Sequence, residues 1–346
     1  MKIDAGFGVS GAGDRDEIIE RAKRAERIGF DALWSSETQH DPFLPLALAA
    51  EHTQRIQLGT AIAVAFARSP TVLAHTAWDL QRLSNGRFIL GLGTQVKAHI
   101  ERRFGTAWDR PAPRLPEYIL AIRALWQCWQ TGEKLNFRGD FFKLTLMSPF
   151  FNPGPIEHPH IPIYIAGVNE HLCQLAGELC EGFHVHPFHT PKYLAEFVLP
   201  NVELGLKKSG RARSEIQLAS SVFVIGGDTR EERDKNREAV RQQVAFYAST
   251  PSYHTVFELH GWKPIAEKLS ALAARGRWEE MPSLITDAML AEFAEEGEWA
   301  TLPARLMRRY DGLLDRLGYY FDPPDDVTPM TVRTFKTMPM DDATQP

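Results

Sequence analysis

IQLGTAIAVAFARSPTVLAHTAWDLQRLSNGRFILGLGTQ, residues 56–95, reads as strand, helix, strand. Residues 56–64 form a short apolar run. Ser69-Pro70 then supplies a helix cap followed by a proline at the first helical position, where a missing N–H costs nothing. Gly86 closes the helix, and residues 88–91 are a second apolar run. Two strands joined by a helix imply a parallel pair.

The same unit recurs on both sides. Residues 3–9 are strand-like, and Asp14 precedes Glu17 at capping-box spacing. Ile18, Ala22, Ala25 and Ile28 follow at helical intervals, Gly29 ends the helix, and residues 31–35 make a short buried strand. Residues 44–53 are helical. Past residue 95 a longer excursion begins, with an amphipathic helix over 115–130, a hairpin around Gly139, and five prolines within 149–162. Regular order resumes with strands at 161–166, 183–187, 217–225 and 318–321, separated by helical segments. The helix after 217–225 starts at Thr229 with Glu232, again a capping box, and a helical stretch covers roughly 262–316. Eight strands alternating with helices predict an α/β fold of the (β/α)8 TIM-barrel kind over residues 1–321. The excursion, about 97–160, is an insertion between strands four and five expected to cover the pocket. Residues 322–346, rich in proline and aspartate, are expected to form a tail.

Composition bounds the function. Hydrophobic residues make up 44% and charged residues 24% of 346, which excludes a disordered or collagenous chain. The net charge of −5, with no basic block, gives nucleic acid and anionic membranes no support as partners. No apolar run approaches a membrane span, and the first residues lack a signal peptide's apolar region. Cys128, Cys173 and Cys180 are the three cysteines, and the last two stand too far apart along a helix to pair. A cytoplasmic, reduced protein is expected.

In a barrel the active site lies where the strands end at their C-termini. The densest polar cluster at such an end is Ser36-Glu-Thr-Gln-His-Asp41, which sends Glu37, His40 and Asp41 to the mouth. Residues 91–95, GLGTQ, and 166–169, AGVN, are the other rim loops, with glycine where a ligand could approach the backbone. Asn169 also caps a helix whose N-terminus favours an anion. Gly6-Phe-Gly8-Val-Ser-Gly11 matches a dinucleotide fingerprint with Glu37 as the acidic partner, but a flexible loop explains it as well. His184-Val-His186 places two imidazoles on one strand face, a pair that a metal-dependent barrel hydrolase would need to supplement with further ligands.

Taken together, GFDALWSSETQHDPFLPLALAAEHT (29–53), the stretch 56–95 and IPIYIAGVNEHLCQLAGELCEGF (161–183) resemble the bacterial luciferase-like monooxygenase superfamily. The likeness is to its coenzyme F420 (deazaflavin) branch in particular, and RRYDGLLDRLGYYF at 308–321 is similar to the family's last helix and strand. The resemblance implies a (β/α)8 barrel with the cofactor at the C-terminal rim. It implies a bulge with a non-prolyl cis peptide between Ala61 and Ile62 behind the ring, and cofactor contacts from Gly93, Thr94 and Gln95. It further implies a phosphate-side loop at Gly167, Val168 and Asn169, and places Glu37 in the family's acidic position after strand two. The chain departs from the pattern at Thr38, where several relatives have histidine, and at Val96, where some have a glutamate acid.

The expected activity is hydride transfer between a small-molecule substrate and C5 of the coenzyme, with His40 or Glu37 moving the accompanying proton. The alternative is an FMN-dependent monooxygenase of the same fold, supplied by a separate flavin reductase. The remote alternative is the hydrolase using His184 and His186, although no metal site is assigned. A homodimer is left open.

Overall fold

A computed structural model describes residues 1–8 and 13–337. The fingerprint's last glycine, Gly11, lies outside the described residues. Eight parallel strands form the core: β1 (Lys2–Gly6), β2 (Ala32–Ser35), β3 (Gln57–Thr60), β4 (Phe88–Gly93), β5 (Ile163–Gly167), β6 (Gly182–Val185), β7 (Gln217–Gly226) and β8 (Arg316–Tyr319). Each pairs with the next, and β8 returns to β1 through Lys2↔Arg316 and Ile3↔Leu317, so the sheet closes. The predicted TIM barrel is present.

Local chemistry explains the helices around it. Helix α1 (Arg15–Ile28) starts at Asp14, whose carboxylate accepts from the Asp16 and Glu17 N–H groups, while Glu17 reaches back to the Asp14 N–H. Gly29 ends it at φ 103°, a left-handed conformation natural to glycine. Helix α2 spans Phe43–His52 and α3 spans Pro70–Leu83, the latter capped by Ser69 through the Val72 N–H. Helices α4 (Pro111–Thr131), α5 (Glu170–Leu179), α6 (Leu199–Ser209), α7 (Arg230–Ala248) and α8 (Leu302–Tyr310) continue the ring. Among the described residues no helix is long and apolar enough to cross a membrane.

Four expectations change. The run 56–64 is not one strand. Gly59 faces Ile89 and Ala63 faces Leu92, so four steps of one strand match three of the other, and the extra residue makes a bulge. The Ala61–Ile62 peptide in that bulge is cis, as the resemblance implies. Secondly, the proline-rich segment does not cover the pocket. Trp78 Nε1 donates to Gly154 O, Gln81 Nε2 to His158 O and His160 O, and Gln130 exchanges two bonds with Ile156. These side chains strap the segment along the outside of α3 and α4. Thirdly, the helical stretch 262–316 contains a strand, Ala294–Gly297, that extends the sheet beside the end of β7. Fourthly, the expected tail contains helix α9 (Thr328–Thr337), with Val332 and Phe335 buried and Lys336 paired to Asp31. Three-residue spacing of two apolar side chains is enough to seat it against the barrel.

The barrel interior is filled, as in other barrels of this size. Arg316 and Asp4, 0% and 5% exposed, face each other across two bonds of 2.8 Å. Trp34 Nε1 also donates to Asp4, and Arg316 reaches Gln57 and Gln217.

Candidate active site

Above this plug the strand ends open into the mouth, and two opposite walls build the site. In an eight-stranded barrel β2, β3 and β4 lie across from β6, β7 and β8.

On the first wall, the backbone at the end of β3 is held from both sides. The Ala61 N–H donates to Ser35 O (2.8 Å) and Ile62 O accepts from the Glu37 N–H (3.2 Å). Thr60 Oγ1 donates to Gly91 O at 2.6 Å and accepts from its N–H at 2.9 Å. A Cβ at Gly91 would lie 1.7 Å from Thr60 O, and one at Gly93 would lie 2.6 Å from Ile62 Cδ1. Glycine at 93 thus lets the Ile62 side chain lie flat on β4, making an apolar shelf. Thr94 and Gln95 follow, half-buried, with Gln95 at φ 61° and its side chain accepting from the Val96 N–H.

Glu37 is buried at the rim, but both carboxylate oxygens are engaged. Arg68 Nη1 donates to Oε1 at 2.9 Å and Oε2 at 2.7 Å, and the Val64 N–H donates to Oε2 at 2.7 Å. Arg68 also pairs with Asp41 at 3.0 Å. The cluster is a clamp on the bulge. Oε2 carries two of these bonds, while Oε1 accepts only from Arg68 Nη1. His40 is exposed at the rim and has no hydrogen-bond partner among the described residues. The segment 97–116 touches the rim: Arg103 donates to Thr38 O, and Thr106 Oγ1 to Phe66 O. Val96 is 54% exposed and supplies no acid.

Between the two walls, Gly167 ends β5 and Asn169 caps α5 by accepting from the Leu172 N–H at 2.9 Å. A Cβ at Gly167 would stand 2.4 Å from Leu172 Cβ, so a side chain here displaces the first turn of α5. Gly167 and Val168 line a cleft with His186, Tyr193, Ser252 and Thr255.

Residues 3–316 match the luciferase-like monooxygenase family. The chain belongs to that family. It is 45% identical over 298 residues to an uncharacterised protein of Mycobacterium tuberculosis, covering 86% of this chain and 88% of the relative. It is 30% identical to the 5,10-methylenetetrahydromethanopterin reductase of Archaeoglobus fulgidus, covering 84% and 86%. Among solved structures, the coenzyme F420 dependent tetrahydromethanopterin reductase from Methanopyrus kandleri superposes with a TM-score of 0.77 at 22% identity over 96% of both chains.

In this luciferase-like protein the two histidines of the His184-Val-His186 pair face inward at different depths. His184 lies among Trp34 and Tyr164, while His186 is stacked on Tyr253 and edge-on to Tyr247. Among the described residues no group of three or more His, Cys, Asp or Glu could hold a metal. The hydrolase reading therefore has no ligand set.

Three site residues escaped the sequence reading. Arg68 lies 31 positions from Glu37 and is brought to it only by the bulge. Tyr247 and Tyr320, from α7 and just past β8, join hydroxyls at 2.6 Å. The sequence YYF at 319–321 looks like core, and its strand parity alone could have signalled that one tyrosine faces inward.

The clamp gives a direct prediction. Arg68→Met leaves a nearly buried carboxylate opposite one backbone N–H, and is expected to cost about 2 kcal/mol in urea unfolding. Arg68→Lys should recover only part of this, because an ammonium cannot span Glu37 and Asp41 as the guanidinium does. Wild-type stability in Arg68→Met would show that the clamp is dispensable.

Proposed function

We propose that the protein is a coenzyme F420-dependent oxidoreductase acting on a small organic molecule. The observation that carries this reading is the apolar shelf of Ile62 lying on Gly93, facing an aromatic wall across the mouth. Such a slot suits a flat tricyclic ring. Likeness to a reductase named for coenzyme F420 supports it.

The chain offers residues for each part of the coenzyme. Ala61 and Ile62 would back the ring, and Gly93, Thr94 and Gln95 would border its edge. Gly167, Val168 and Asn169, with the Ser252 and Thr255 hydroxyls across the cleft, would hold the ribityl phosphate side. When bound, the deazaflavin supplies or accepts a hydride at C5. Glu37 and Arg68 keep the shelf in place by fixing the backbone from 61 to 68. The 97–116 segment screens one side of the mouth from water.

A titration decides the cofactor. Coenzyme F420 should bind, and the reduced coenzyme should bind without oxygen uptake, because carbon at ring position 5 does not support a peroxide. Tight FMN binding, no response to the deazaflavin, and oxygen uptake with reduced FMN would instead establish the two-component monooxygenase with its separate reductase.

A further inference from the structure

On the first wall Glu37 is bound to Arg68, and His40 has no partner among the described residues to orient it. The opposite wall holds an oriented donor. Arg316 points inward on β8, so by two-residue alternation Gly318 and Tyr320 do as well. The Tyr320 N–H donates to Val222 O, which continues the barrel pairing one residue past β8. Tyr320 is half-buried, its ring packs on Phe223 at 4.5 Å, and its hydroxyl meets that of Tyr247 at 2.6 Å. In such a pair one hydroxyl gives its hydrogen to the other, and the acceptor keeps its own for a third group. His186, on β6's continuation, stands edge-on to Tyr247 at 4.7 Å. Its Nδ1 accepts from the Phe188 N–H at 3.1 Å, so the neutral ring carries its hydrogen on Nε2.

The rings of the wall are aromatic and carry no charge of their own. Burial pushes the Tyr320 hydroxyl up and the His186 imidazole down to about 3, so both remain neutral donors at physiological pH. Among the described residues no arginine or lysine lies over the rings of Phe223, Tyr247, Tyr253 or Tyr320; the cation–ring contacts are on other rings.

We propose that Tyr320, backed by Tyr247, is the proton donor to the oxygen of a neutral carbonyl substrate held against this wall. The proposal rests on the deazaflavin reading above. In the reductive direction the Tyr320 O–H proton passes to the carbonyl oxygen while a hydride from C5 of the reduced coenzyme reaches the carbonyl carbon. The C=O bond becomes CH–OH, the coenzyme is oxidised by two electrons, and the tyrosinate regains its proton through Tyr247 from solvent. The hydrogen bond from Tyr247 stabilises the anion left on Tyr320 during the step. A phosphorylated or carboxylated substrate would find no cation on this wall and would be disfavoured.

The test uses the full protein with coenzyme F420 and two probes, cyclohexanone and its anionic counterpart cyclohexanone-4-carboxylate. With the oxidised coenzyme no turnover is available, and ketone binding is read from the perturbed coenzyme fluorescence. Tyr320→Phe should weaken cyclohexanone binding about tenfold while coenzyme affinity stays within about threefold. With reduced coenzyme, the same variant should slow deazaflavin reoxidation by 10²–10⁴-fold. Tyr247→Phe, which keeps the Tyr320 hydroxyl but removes its support, should lose less. Cyclohexanone should bind better than the carboxylate. The proposal is overturned if wild-type protein binds the coenzyme yet neither binds nor reduces cyclohexanone. It is also overturned if both tyrosine variants match the wild type, or if the carboxylate is preferred. Failure of the wild type to bind any deazaflavin overturns the cofactor reading, and the donor role with it.

Discussion

Asp4→Ala is expected to destabilise the protein by about 3–5 kcal/mol, because it strands the Arg316 charge in the barrel centre. Arg316 is 0% exposed, and its guanidinium spends Nε and Nη2 on the two Asp4 oxygens at 2.8 Å each. Its remaining Nη1 reaches Gln57 Oε1 at 2.8 Å and Gln217 Oε1 at 3.2 Å, and Tyr164 OH donates to the same Gln217 oxygen. With Trp34 Nε1 on Asp4, one network joins side chains from β1, β2, β3, β5, β7 and β8. Neutral glutamines cannot balance a buried cation, so loss of the carboxylate removes both a bidentate contact and the counter-charge. A domain with typical stability of 5–15 kcal/mol would then be near its threshold. Asp4→Asn keeps one acceptor and should cost less than Asp4→Ala. Urea unfolding checks both, and a loss below about 1 kcal/mol in Asp4→Ala would show that water or relaxation replaces the pair.

The same plug shows where the sequence ceases to be informative. Asp14, Glu17, Ser69, Pro70, Thr229 and Glu232 act on neighbours three residues away, so caps and helix starts are legible by spacing. Asp4 and Arg316 act on each other across the closed barrel, and each read alone is an ordinary charged residue in a short strand. The bulge came only from the family resemblance and not from the residue pattern, for a related reason. Residues 56–64 are uniformly strand-like, and the extra residue shows only when Gly59 and Ala63 are matched to β4. Five prolines announce irregular backbone at 149–162, but only Trp78, Gln81 and Gln130 determine that it lies on the helices and not over the mouth. At the site, the rim loops stand where barrel geometry puts them, including Glu37. Its pairing with Arg68 was not legible by spacing, because that partner comes from the far side of the bulge. Tyr320 was hidden in an apolar run: parity points one tyrosine inward, and the inward Arg316 shows that it is Tyr320.

Lowering the pH from about 7.5 to about 5.5 is expected to remove on the order of 4 kcal/mol of stability, before most carboxylates titrate. Three histidines are responsible. His184 is packed between Trp34 and Tyr164, and burial, aided by the Arg316 charge, pushes its imidazole down to about 3. Burial likewise pushes His186 down to about 3, with His189 nearby adding to the shift. His189, 1% exposed, is lowered to about 4, chiefly by burial. In the unfolded chain each titrates near 6.5. Between that value and the folded one, the unfolded state binds more protons than the folded state, so stability falls as pH falls. The stability contributed by keeping these rings neutral is complete above about pH 6.5. It is lost on acidification down to about pH 4 for His189 and about pH 3 for the other two. Each group contributes a slope of about 1.4 kcal/mol per pH unit within its window, and three together about 4. Urea unfolding at the two pH values measures the difference. His186→Gln, at the mouth, should lower the slope by about one third. A wild-type stability that is flat between pH 7.5 and 5.5 would mean that these rings reach water or a counter-charge in the folded protein, and the aromatic wall could not then be counted as a dry, uncharged surface.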